Sequence, residues 1–191
     1  MQKIIYRTLF ILAFSFAVHS STAQDKEVGG ITMPGKVVVE KQDLILNGAG
    51  IREKYWIDLY VCGLYLTTRS SDSQKIQDAN EKMAIRLHII SSFVTNERMQ
   101  DAVRVGFEKS THNNTAGLEE KINVVIGAFS DPIKVDDVYE IYYTPAGGSV
   151  IYKNGVQKTI IEGLYFKQVL FGIWLGDNPA HKELKEELMG G

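Results

Sequence analysis

The chain has 191 residues, 45% hydrophobic and 23% charged, enough for one domain with a sizeable core and no need of a second. A formal net charge of −2 offers no basic footprint for nucleic acid. A single cysteine, Cys62, excludes an internal disulfide, and the scattered His19, His88, His112 and His181 argue against a metal enzyme.

Residues 1–23 read as a secretory signal peptide. Lys3 and Arg7 precede an apolar run from Leu9 to Val18, and Ser21-Thr22-Ala23 supplies small residues for cleavage before Gln24. The run is shorter than the roughly 20 residues a spanning helix needs, with an uncleaved N-terminal anchor as the alternative. No cysteine follows it closely, which argues against lipidation. Cleavage leaves 19 basic residues against 23 acidic ones, a net charge of −4. The expected domain, residues 24–191, would be exported, periplasmic or secreted.

Gly29 to Glu40 reads as a glycine-broken entry followed by a short strand from Lys36. Leu44 to Leu46 is a second strand, and Asn47-Gly48-Ala49-Gly50 has turn chemistry. Tyr55 to Leu66 is a long strand, apolar or aromatic on both faces, which predicts cover on both sides. Within it Cys62 reads as a buried small hydrophobe, and Asp58 shares a face with Tyr60 and Leu64. Arg69 to Asn80 suits a loop and a short helix, with Asp72 as its cap. Lys82 to Ser91 alternates as a half-exposed strand, with Arg86 and His88 outward. Thr95 or Asn96 can cap a helix carrying Met99, Ala102, Val103, Gly106 and Phe107. A second amphipathic helix follows through Leu118, Ile122, Val125, Ile126 and Phe129, closed at Ser130-Asp131-Pro132. Strands then return, with Asn154-Gly155 as a two-residue hairpin turn. A helix from Tyr165 to Leu175 and a short one through Leu184 and Leu188 end the chain. The order predicts an α+β domain with a layer of helices over one face of an antiparallel sheet.

"GGSVI" is no nucleophile elbow, and Gly48 and Gly50 precede a strand, so a dinucleotide fingerprint fails on context. No cofactor is implied. Arg52 is the polar group that asks for a role. A guanidinium stays charged in poor solvent, and its fork fits a carboxylate or enolate. Beside Tyr55, Trp56 and Tyr60 it could hold the acidic end of an apolar ligand. As a structural clamp it would pair with Asp58 or Glu53. Ile173 and Trp174 read as core or cavity wall.

"ITMPGKVVVEKQDLILNGAGIREKYWIDLYVCGLYL", with "GIWLGDNPAHKELKEELMG" near the end, resembles the bacterial chalcone isomerase-like proteins. Through them it is similar to plant chalcone isomerases and plastid fatty-acid-binding proteins of the same fold. The resemblance covers roughly Ile31 to the C-terminus and implies an antiparallel sheet with helices on one face. It implies that Arg52 matches the arginine that binds a phenolate in the plant enzymes. Their threonine position is Tyr60 here, as in the fatty-acid-binding branch, where a tyrosine joins the arginine on a carboxylate. Their tyrosine, asparagine and hydroxyl positions fall near Val94, Asp101 and Ile173, none of which keeps that chemistry.

The leading expectation is an exported, non-catalytic domain that binds a fatty acid or similar small amphipathic acid. Arg52 and Tyr60 anchor the acid, and Tyr55, Trp56, Val94, Ile173 and Trp174 line its cleft. One alternative is an isomerase of the intramolecular lyase type, with Arg52 stabilising an oxyanion and Tyr60 as donor. The other is a structural or partner-binding envelope protein.

Overall fold

The computed structural model describes residues 24–190. The expected signal peptide lies outside the described residues. Seven strands form one antiparallel sheet in chain order: β3 (Lys36–Val39), β4 (Gln42–Lys54), β5 (Ile57–Leu66), β6 (Met83–Ile89), β7 (Val138–Thr144), β8 (Gly148–Lys153) and β9 (Val156–Ile161). Before them, β1 (Lys26–Val28) and β2 (Ile31–Met33) make a separate hairpin on Gly29-Gly30. The glycine-broken entry is therefore itself structured.

Helix α1 (Ser73–Asp78) joins β5 to β6, while α2 (Asn96–Ser110) and α3 (Glu119–Gly127) join β6 to β7. Helices α4 (Leu164–Leu175) and α5 (Lys182–Leu188) follow β9. The caps sit where the sequence places them. The Asp72 carboxylate accepts from Lys75 N at 3.0 Å, and Thr95 Oγ1 accepts from Arg98 N at 3.3 Å.

The apolar residues of β5 divide between two cores, which explains why both of its faces read as buried. Tyr60, Cys62, Leu64 and Leu66 pack with the helices, whereas Val61 and Tyr65 join Met33 and Leu46 on the far face. Gly106 on α2 lets Ile173 of α4 approach closely, since a Cβ there would lie 2.8 Å from its Cγ2. Lys167 of α4 is fully buried, and its ammonium donates to the carbonyls of Ile76, Gln77 and Ala79 at 3.1, 2.9 and 2.7 Å. It thereby caps the C-terminal end of α1.

The turn expected at Asn47-Gly48-Ala49-Gly50 is instead the middle of β4. Its glycines serve close packing. A Cβ on Gly48 would lie 2.1 Å from Glu187 O, and one on Gly50 would lie 1.7 Å from Glu187 Oε2, so α5 rests directly on the strand. Asn47 sits at a register shift and ties the region together. Its Nδ2 donates to Ser70 O and Leu188 O at 2.9 and 2.8 Å, and its Oδ1 accepts from Ser70 N. The chain reverses at Tyr55-Trp56, with φ of 54° and 62°, so β5 begins at Ile57.

Candidate functional site

Arg52 and Tyr60 face each other as a cross-strand pair of β4 and β5. A register shift follows at once, with Glu53 opposite Asp58, and such a bulge re-aims neighbouring side chains. Tyr60 points into the helix-covered core and is 8% exposed. Its hydroxyl accepts from Trp174 Nε1 of α4 at 3.3 Å. Burial, helped by the neighbouring Cys62, pushes the phenol up to about 12 against the opposing pull of Arg52 and the Trp174 hydrogen bond. Tyr60 is thus a protonated donor at neutral pH. Arg52 is half-buried and donates to the carbonyl of Glu53. Among the described residues it makes no ion pair with Asp58 or Glu53, so the clamp geometry is not formed.

Three of the expected site residues, Arg52, Tyr60 and Trp174, come together. Val94 and Ile173 are buried in the same helix-side core. Tyr55 and Trp56 stand elsewhere, at the β4–β5 tip, 77% and 92% exposed. The aromatic wall expected from their spacing is not assembled, because the two-residue turn swings both rings outward. Asp101 lies exposed on α2.

A surface depression of about 380 Å³ opens at the same end of β4, lined by Ile51, Glu53, Asp58, His181, Glu183 and Glu187. Its rim is acidic apart from His181, whose Nε2 lies 3.1 Å from Glu183 Oε2. Glu187 Oε2 accepts from Ile51 N at 3.2 Å and so covers part of the open edge of β4. Four carboxylates repel an anion, so an acid would not approach Arg52 by this route. The charged segment "KELKEEL" thus rests on β4 through its backbone and Glu187, a contact its composition does not announce. The Gly-x-Gly spacing was the available signal. No cluster of His, Cys, Asp and Glu suited to a metal is present among the described residues.

The architecture is that of an α+β domain with helices on an antiparallel sheet. A family model described as "Chalcone isomerase-like" matches residues 25–190, and the chain belongs to that family. Among curated proteins none matches the sequence. The crystal structure of the fatty-acid binding protein AtFAP1 of Arabidopsis thaliana is similar, with a TM-score of 0.65 and 17% identity. The match covers 84% of this chain and 92% of that one, and it shows the shared fold. No helix among the described residues is long and apolar enough to cross a membrane.

Proposed function

We propose that this chain is an exported, non-catalytic binding domain for a fatty acid or similar small amphipathic acid, anchored by Arg52 and Tyr60. The observation that carries the reading is a guanidinium without an acidic partner among the described residues, set on the neighbouring strand opposite a protonated phenol. A ligand carboxylate would take the Arg52 fork in place of the Glu53 carbonyl and accept a hydrogen bond from the Tyr60 hydroxyl, while Trp174 keeps its bond to the phenol oxygen. The acyl chain would lie against Val94, Ile173 and Trp174. Because this core is closed, uptake requires the helix layer to part from the sheet.

Two further observations support the proposal. The structural neighbour AtFAP1 is titled a fatty-acid binding protein. Residues 1–23 carry the charge and apolar pattern of an export signal. The same pair could hold an oxyanion, as the lyase reading asks. Val94 and Ile173, however, offer no group able to move a proton, which favours binding over turnover.

Native mass spectrometry of the gently purified protein tests the proposal. Wild type should carry a mass consistent with a fatty acid, and Arg52→Ala should not. An empty wild-type protein with no measurable fatty-acid affinity would overturn it.

A further inference from the structure

Three of the four exposed aromatic side chains among the described residues, Tyr55, Trp56 and Phe93, sit at one end of the sheet. The β4–β5 turn, the segments entering α2 and β7, and the β8–β9 turn all lie where β5 begins and β6 ends. Backbone bonds hold these segments together there: Ile90 N to Leu59 O, Asp136 N to Ile89 O, and Asn154 N to Val138 O. Their tips present Tyr55, Trp56, Phe93, Val135 and Val156, all exposed. The opposite end presents Glu40, Lys41, Arg69, Asp72 and Glu81, with Val38, Ile160 and Tyr165 exposed toward it and Tyr165 its one exposed aromatic among the described residues.

Glu40-Lys41 in the β3–β4 turn are left-handed as well, and the bulk of the two side chains sets Tyr55-Trp56 apart. The β8–β9 turn gives its left-handed positions to Asn154 and Gly155, the residues that accept them readily. The β4–β5 turn gives the same positions to a tyrosine and a tryptophan, and nothing in the described chain packs over them to offset the strain. Cations stand alongside. Lys54 Nζ is 5.3 Å from the centre of the Tyr55 ring, Arg98 Cζ is 5.8 Å from that of Phe93, and Lys134 precedes Val135. The acids of the same segments are Glu53, Asp58, Glu97, Asp131, Asp136 and Asp137, of which Asp131, Asp136 and Asp137 are held by Lys158, His88 and Lys153 at 2.5, 3.1 and 3.0 Å.

Tryptophan and tyrosine favour the headgroup level of a bilayer, and lysine and arginine meet its phosphates. The tips belong to four segments spread over roughly 20 Å, about four strand spacings. They form separate points rather than a groove. A fluid surface deforms around such points, whereas a protein partner of fixed relief would need a continuous face. We propose that this end of the sheet docks on a phospholipid surface, with Tyr55 and Trp56 at headgroup level and Lys54, Arg98 and Lys134 on the phosphates. The proposal goes beyond acid binding and does not depend on it.

The full chain has two tryptophans, and Trp174 is 5% exposed, so a lipid-induced change in emission reports Trp56. Residues 1–23 contain no tryptophan, and their own lipid affinity gives no such signal. With vesicles of phosphatidylcholine and phosphatidylglycerol brominated near the headgroup, Trp56 should be quenched and its emission should move to shorter wavelength. Lys54→Glu with Phe93→Ser keeps the reporter and should raise the lipid concentration for half-maximal quenching roughly tenfold. Unquenched Trp56, an unchanged midpoint in the variant, or an emission shift that follows protein concentration without lipid would each overturn the proposal. Fatty-acid affinity measured without vesicles should be the same in this variant, so failure of acid binding and failure of docking are read separately.

Discussion

Gly48→Ala should release the C-terminal helix from the sheet. The added Cβ would sit 2.1 Å from Glu187 O and 2.7 Å from Leu188 O, and backbone atoms of a packed helix cannot turn aside. Complete undocking forfeits the burial of Leu184 and Leu188, about 1.5–3 kcal/mol each. It also breaks the bond from Asn47 Nδ2 to Leu188 O, worth about 1 kcal/mol. Partial retreat of α5 should therefore cost about 3–5 kcal/mol, read as a lower midpoint in urea unfolding. Gly50→Ala meets a side chain instead, the Glu187 carboxylate, which can rotate away. That change should cost only about 1–2 kcal/mol, and adding Glu187→Ala should recover most of it, a rescue that Gly48→Ala would not share. Gly48→Ala within about 1 kcal/mol of wild type would refute the reasoning.

Other consequences follow from the buried and strained groups. Tyr55→Asn with Trp56→Gly should stabilise the protein by about 1–2 kcal/mol in thermal unfolding, because the turn keeps its shape without left-handed aromatics. Tyr60→Phe leaves Trp174 Nε1 without its acceptor and should cost about 1–2 kcal/mol, with a change in tryptophan fluorescence. Burial lowers the Lys167 ammonium to about 8, against Asp78 and Glu81. The unfolded chain then holds this proton to higher pH than the folded one, so stability should rise between about pH 8 and pH 10. Lys167→Met should abolish that rise in urea midpoints. Above pH 10 the raised pKa of Tyr60 acts in the opposite sense, and its contribution is lost as pH approaches 12.

Much of the fold was legible because periodicity and caps act locally. The alternation of Met83, Ile85, Leu87 and Ile89 gave β6, Thr95 and Asp72 gave two helix starts, and Asn154-Gly155 gave the last hairpin. The "NGAG" stretch misled because glycine has two uses, reversal and close approach. Only the distant α5 decides between them. Tyr55 and Trp56 misled for the converse reason, since bulky aromatics seldom occupy a left-handed turn. The facing of Arg52 and Tyr60 depends on that turn and on the following bulge, neither of which leaves a mark in spacing. Lys167 likewise reads as an ordinary helical lysine until α1 ends against it.

The central claim is that Arg52 and Tyr60 grip a carboxylate. Calorimetric titration of a long-chain saturated fatty acid into wild type, Arg52→Lys and Arg52→Ala tests it most directly. Saturable binding by wild type should weaken roughly tenfold with lysine, which keeps the charge but loses the fork, and disappear with alanine. Equal affinity in all three proteins, or none in wild type, would contradict the account.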